Sequence, residues 1–188
     1  MVEKRRQYLF RRWWWHNQSL VFVDESGVNL SLTRAQGWAL RGQRVVDAVP
    51  HAQWKNYTVI AGLRQTGIVA PLVLPGAMNM ECLRTWTRTL LGPTLQPGDI
   101  VVWDNLTIHT DPQIAEYFSS IGVRLEFLPP YSPDLNPIEK AWSKMKTILR
   151  NLKARTYSEL VEALETALLA ISIHDCNNWF HHAGYTLP

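Results

Sequence analysis

The sequence predicts an α/β fold, a mixed sheet flanked by helices. The first half holds β-rich runs separated by turn residues, which read as a meander of antiparallel strands. The second half alternates helix, strand, helix, strand, helix, the order that lays covering helices over a sheet. At 188 residues the chain is long enough for one domain with a sizeable core.

Residues 1–18 read as a basic, aromatic leader without helical or strand periodicity, ahead of a domain spanning 19–188. Lys4, Arg5, Arg6, Arg11 and Arg12 crowd it. Trp13, Trp14 and Trp15 could stack on bases, but packing against the domain is the expectation, because aromatic side chains mostly bury their area.

Ser19–Val23 is a compact apolar run that predicts a buried strand delivering Asp24 at its end. Residues 36–48, with Gly37 and Gly42, suggest a hairpin-like excursion. Tyr57–Leu63 and Ile68–Leu74 are strands joined by a turn at Gln65-Thr66-Gly67. Met78–Leu91 has helical spacing, with Met80, Leu83, Trp86 and Leu90 on one face, and Gly92-Pro93 ends it.

After a turn at Pro97-Gly98, Ile100–Trp103 predicts a short strand ending at Asp104. Pro112–Ser120 is a helix capped by Asp111 and stopped by Gly122, and Val123–Leu128 is the next strand. A proline-rich connector, Pro129–Pro137, follows. A residue before proline is pushed out of the helical region, so the next helix starts at Pro137 with Asn136 as its N-cap. That helix runs to about Arg150 and holds Glu139 in its first turn. A last helix spans Tyr157–Ile171, with Leu160, Val161, Leu164, Ala167 and Leu168 at helical spacing.

Composition excludes several classes. No run approaches the ~18 apolar residues of a membrane span, and no secretory signal is recognisable, so a cytoplasmic protein without membrane partners is expected. Cys82 and Cys176 read as reduced, buried thiols. His181 and His182 lie near Cys176 without completing a four-ligand zinc spacing. Gly62, Gly67 and Gly76 form no phosphate loop. Trp38, Trp54 and Trp142 read as core. The net charge of +3 is compatible with a polyanion partner. Lys140, Lys144, Arg150 and Lys153 could form a ridge neutralising DNA phosphates, with a solvated helix face as the alternative.

Three acids stand out. Asp24 and Asp104 follow apolar strands, where α/β sheets bind ligands, and Glu139 opens a helix whose dipole favours its ionised form. Converging carboxylates need a counter-charge. Oxygen ligands suit Mg²⁺ or Mn²⁺ better than zinc. Strand-end acids are also often merely solvated, so spacing alone leaves both readings open.

Three sequence blocks are more specific. Val21-Phe22-Val23-Asp24-Glu25-Ser26-Gly27, Val101-Val102-Trp103-Asp104-Asn105 with His109, and Leu128-Pro129-Pro130-Tyr131-Ser132-Pro133-Asp134-Leu135-Asn136-Pro137-Ile138-Glu139 resemble the motif blocks of the IS630/Tc1/mariner transposase superfamily. The similarity is greatest to the bacterial IS630-type DDE endonuclease domain and runs from about Leu20 to Tyr185. The third block is the most specific, and the 35 positions from Asp104 to Glu139 (139 − 104) suit the family.

The resemblance implies an RNase H-like fold and a metal-binding catalytic triad of Asp24, Asp104 and Glu139 holding two Mg²⁺ (or Mn²⁺) ions. It implies cleavage of double-stranded DNA at element ends and strand transfer into target DNA, by a homodimer that is nucleoid-associated when acting. Asn105, His109 and Asn136 take supporting roles. His109 could orient a carboxylate or contact a phosphate, or be a satisfied structural histidine. Glu25 should face away from Asp24, since adjacent strand residues point to opposite faces. Family members usually carry an N-terminal helix-turn-helix region; with only a short leader ahead of its first strand, this chain is expected to be a catalytic fragment, the second product of a split reading frame or a degraded copy, with end recognition lying elsewhere. The alternatives are a metal-dependent nuclease of the same fold without strand transfer, and an inactive DNA-binding remnant.

Overall fold

A computed structural model describes residues 2–15, 19–34, 36–46 and 55–185. Five strands form one sheet: β1 (Leu20–Asn29), β2 (Asn56–Arg64), β3 (Gly67–Pro75), β4 (Ile100–Trp103) and β5 (Arg124–Phe127), in the order β3-β2-β1-β4-β5. β1, β2 and β3 pair antiparallel, whereas β4 joins β1 in parallel and β5 joins β4 in parallel. The mixed sheet expected from the sequence is therefore present.

The first residues of β1 explain its central place. Leu20, Val21, Phe22 and Val23 are all fully buried, as a strand covered on both faces requires. Their alternation divides the interior into two layers. Leu20 and Phe22 join the core beneath α4 (Ile138–Leu152), α5 (Tyr157–Leu169) and α6 (Ile173–His182). Val21 and Val23 join the core beneath α2 (Met80–Trp86) and α3 (Pro112–Ser120).

Several expectations need correction. The leader is not without periodicity: Val2–Arg12 forms a helix, α1. Its Tyr8 is buried, with its hydroxyl 2.7 Å from that of Tyr185. Trp15 is buried edge-on against Tyr8, but Trp13 and Trp14 are exposed, so packing accounts for one of the three tryptophans. Trp142 is core as expected, while Trp38 is fully exposed and Trp54 lies outside the described residues. Cys176 is buried but Cys82 is exposed. Residues 36–46 contain no strand, against the hairpin expected there, and 47–48 lie outside the described residues.

The helix expected over Met78–Leu91 is α only to Trp86 and continues as a π turn over Thr87–Leu91. The wider turn moves the buried position by one residue, so Leu91 is fully buried and Leu90 is exposed. Val161, expected on the buried face of α5, is exposed. The last helical region is two helices, not one. α5 stops at Leu169, and α6 starts with a capping box in which Ser172 and Asp175 bond reciprocally.

Candidate functional site

β1 does not end at Asp24. It runs on to Asn29 because β2 pairs with it along residues 22–29. The alternation of buried Ser26 and Val28 with exposed Gly27 is that of a half-covered strand, which the Glu-Ser-Gly triplet conceals in the sequence. The parallel partner β4 covers only Leu20–Phe22. Continuing that register, in which Phe22 is opposite Val102, brings Asp24 level with Asp104, one residue past the end of β4. Beyond that point β1 has β2 on one side and an open crevice on the other.

The connector after β5 closes the crevice. Leu128 donates its N–H to the Trp103 carbonyl at 2.8 Å, so the chain leaves the sheet beside Asp104. Tyr131 takes a left-handed conformation (φ 56°), and a 3₁₀ turn spans Pro133–Leu135. Arg5 of α1 fastens this turn, donating to the Ser132 hydroxyl at 3.1 Å and pairing with Asp134 at 2.5 Å. α4 then begins, and Ile138, Ala141, Trp142, Met145 and Leu149 fix its rotation by burial. That rotation leaves Glu139 exposed. Asp24, Asp104 and Glu139 thereby line one cavity of about 410 Å³, with Asn105 and Asn136 in its wall.

Two side-chain contacts hold the aspartates. The Trp142 indole donates from Nε1 to Asp24 Oδ2 at 3.2 Å. Buried His109 stacks on Trp103, with ring centroids 4.5 Å apart. Its Nδ1 bonds Asp104 Oδ1 and its Nε2 meets Glu25 Oε1 at 3.2 Å. His109 thus contacts two carboxylates, Asp104 and Glu25. Glu25 does face away from Asp24, yet through His109 it is tied to Asp104. No sequence signal pointed to Glu25 or Trp142 as part of the site.

The electrostatics are those of crowded anions. Burial, then the nearby charges of Glu139, Glu25 and Asp104, push the Asp24 carboxyl up to about 7. Burial opposes protonation of His109, but its hydrogen bonds to Asp104 and Glu25 outweigh this and raise it to about 9. Among the described residues, no three acids, histidines or cysteines stand close enough together to form a ready-made metal cage. Asp104 is instead engaged by His109.

Other candidates fall in varied places. Asn136 does not cap α4 with its side chain. Its Oδ1 is buried with no hydrogen-bond partner among the described residues, although its carbonyl accepts from the Glu139 N–H at 3.3 Å. Pro137 has helical dihedrals and Asn136 does not, so the helix boundary stands while the cap does not. Lys144 is paired with Asp175 at 2.6 Å and so is not free in a basic ridge, while Lys153 takes the left-handed conformation at the end of α4. Arg150 is half-buried near the far end of the helix, whereas exposed Lys140 adjoins Glu139.

A family model for the DDE superfamily endonuclease matches residues 19–161. The chain belongs to the DDE superfamily endonuclease family. It is 32% identical over 171 residues to the transposable element Tcb2 transposase of Caenorhabditis briggsae, covering 84% of this chain and 60% of that protein. It is 33% identical over 89 residues to the Tcb1 transposase of the same organism, covering 47% of this chain and 31% of that one. The chain thus spans less than two thirds of either relative.

Among solved structures, a Mos1 transposase paired-end complex with the left transposon end superposes with a TM-score of 0.77 at 19% identity, covering 96% of this chain and 57% of that one. The isolated Mos1 catalytic domain superposes at 0.66 with 17% identity, covering 96% and 85%. The fold is the RNase H-like one of DDE enzymes.

Proposed function

We propose that this chain is a transposase catalytic domain that hydrolyses phosphodiesters at element ends and transfers the freed strand into target DNA. Asp24, Asp104 and Glu139 hold two divalent ions, Mg²⁺ or Mn²⁺, for that purpose. One observation carries the reading: carboxylates from three separate elements line a single cavity. The donor set fits the ions, being oxygen-only and anionic. When bound, such ions would supply activation of the attacking water or 3′-hydroxyl and stabilisation of the leaving oxygen.

The chain's own groups supply position. Trp142 donates to Asp24 Oδ2 and the Glu25 N–H to Oδ1 at 2.9 Å, so both oxygens of this cavity-lining carboxylate are oriented. His109, held by Glu25 and stacked on Trp103, sets the Asp104 rotamer. The Pro137 helix start presents Glu139. Asn105 and Asn136 offer uncharged amides at the wall, where a bound strand would pass.

Double-stranded DNA is the substrate, both as element end and as target. The Mos1 matches include a pre-cleavage transpososome, a strand transfer complex, and paired-end complexes with Mn and with Mg, which supports DNA and divalent metal as partners here. Joining two ends calls for a homodimer, and end recognition for a helix-turn-helix part outside the present 188 residues. A cytoplasmic, nucleoid-associated protein fits this role. Among the described residues, no helix is long and apolar enough to cross a membrane.

The test is Asp104→Ala with labelled element-end DNA in Mg²⁺. Nicking should fall to background while the circular dichroism melt is retained. Unchanged nicking would overturn the assignment. Supplying pre-cut 3′-ended DNA then separates transposase from nuclease: joined products are expected, and hydrolysis without joining would favour the nuclease.

A further inference from the structure

A second cavity, of about 440 Å³, opens beside the carboxylate cavity and shares Glu139, Asn136 and Pro133 with it. It lies between the N-terminal turns of α4 and the C-terminal turns of α6. Lys140, Ser143, Trp179 and His182 line it. His182 completes no motif in the sequence, and apolar periodicity marks no separate helix at α6. The fold alone brings them to the site.

The groove has a definite construction. The Lys144–Asp175 pair, at 2.6 Å, ties the middle of α4 to the start of α6. Asp175, Trp179 and His182 are spaced i, i+4, i+7 and so share one face of α6. Lys140 lies one turn before Lys144 on α4. The two helices therefore run antiparallel here, and the same face that is anchored at Asp175 presents Trp179 and His182 toward Lys140.

Glu139, shared with the carboxylate cavity, also lines the groove and is given to metal in the transposase reading. Asp134, at its rim, is already paired with Arg5 at 2.5 Å, and Asp175 with Lys144. Among the described residues no carboxylate pairs with Lys140, which is exposed, as is His182. A free ammonium, a hydroxyl and an imidazole thus surround a half-buried indole face. That is the combination that holds a nucleotide of a single strand: cationic and hydrogen-bonding groups on the phosphate, an aromatic on the base.

We propose that this groove binds the nucleotide of the DNA strand next to the one being cut. Lys140 and His182 take its phosphate, Ser143 hydrogen-bonds the same group, and the base stacks on Trp179. The inference rests on the reading of the chain as a DNA-cutting domain. Glu139 is the hinge between the two cavities, so a strand lying in the groove is led to the carboxylates.

The test uses the whole chain in EDTA, so that nothing is cut. A fluorescein-labelled duplex with a single-stranded 3′ overhang is titrated by anisotropy, and 5-iododeoxyuridine placed in the overhang is photocrosslinked. Lys140→Gln should weaken binding by roughly tenfold and lower the salt slope by about 1. Trp179→Leu should weaken it by about tenfold and abolish a crosslink that maps to α6, while Trp179→Phe restores affinity. His182→Gln should weaken it less. The control Arg88→Gln, on the opposite layer, should bind as wild type.

Unaltered affinity in Lys140→Gln and Trp179→Leu, with crosslinks elsewhere, would overturn the groove while wild-type cleavage in Mg²⁺ upholds the transposase reading. A wild-type chain that neither binds nor cuts DNA would overturn both. Melting curves of each variant separate lost contacts from lost fold.

Discussion

The indole of Trp142 and the carboxylate of Asp24 meet at 3.2 Å across the interface of α4 and β1. Trp142 lies three residues after Glu139, and its burial helps set the rotation of α4. One helix face therefore places one acid and restrains another. Trp142→Phe keeps most of the packing and deletes the N–H. Urea unfolding should show a loss of about 1.5–3 kcal/mol, the range for a hydrogen bond to a charged group. Nicking should fall between roughly tenfold and a hundredfold, because Asp24 loses its fixed orientation. Half-maximal rate should also require more Mg²⁺.

His109→Gln tests the second restraint. Glutamine can still donate to Asp104 but cannot at the same time bridge to Glu25 or stack as a ring on Trp103. Single-turnover nicking should drop by roughly a hundredfold, with a smaller fall in melting temperature. Glu25→Gln should produce a milder version of the same defect, since Glu25 reaches Asp104 through His109.

The Lys144–Asp175 pair makes an acid-stability prediction. Hydrogen bonds from Lys144 and Ser172 hold the Asp175 carboxyl well below the usual carboxylate range. A depressed folded-state value stabilises the fold above the unfolded value of about 3.9, and that stability is lost as pH falls through the folded value. Asp175→Asn keeps an acceptor for the helix cap but removes the ion pair. Its melting temperature should lie below wild type near neutral pH. The gap should close as the solution is acidified below about pH 3.9. A gap that stays constant with pH would contradict the account.

Asp111 does two things at once. It caps α3 by accepting from the Gln113 and Ile114 N–H groups, and it pairs with Arg84 of α2 at 2.5 Å. Asp111→Ala should cost about 2 kcal/mol in urea unfolding, the upper end for a lost N-cap. Arg84→Gln, which leaves the cap intact, should cost clearly less than Asp111→Ala, because the arginine is one-third exposed.

The π turn supplies a contrast between neighbours. Leu91→Ala should cost about 2–5 kcal/mol, as a fully buried leucine does. Leu90→Ala should stay within roughly 1 kcal/mol. The reverse order would mean that the helix continues in regular α register, as the spacing of Leu83, Trp86 and Leu90 suggests.

That contrast shows where the sequence could be read and where it could not. The meander was legible because Gln65-Thr66-Gly67 punctuates two β-rich runs, and α3 because Asp111 and Pro112 mark its start. A π turn leaves no such mark. Its one-residue shift is set by packing against the sheet. The far half of β1 was hidden because Glu25, Ser26 and Gly27 look like a stop, when β2 in fact pairs through them. The capping box at Ser172 and Asp175 was a readable signal for α6 that periodicity alone passed over.

At the site, the three acids were legible through the blocks around them, above all the proline-rich run before Glu139. Their supports were not. Trp142 touches Asp24 from 118 positions away, and Glu25 touches His109 from 84. Only the folded sheet brings such pairs together. Asn136 was placed correctly at the helix boundary and given the wrong task, because a short polar residue before Pro137 reads as a cap whichever way its amide points.

The central claim is that Asp24, Asp104 and Glu139 together hold divalent metal. Mn²⁺ titrated into the chain by calorimetry, without DNA, tests it most directly. Wild type should bind Mn²⁺, and Asp24→Asn, Asp104→Asn and Glu139→Gln should each weaken binding at least tenfold while melting as folded proteins. Binding that is the same in wild type and in all three variants would contradict the account.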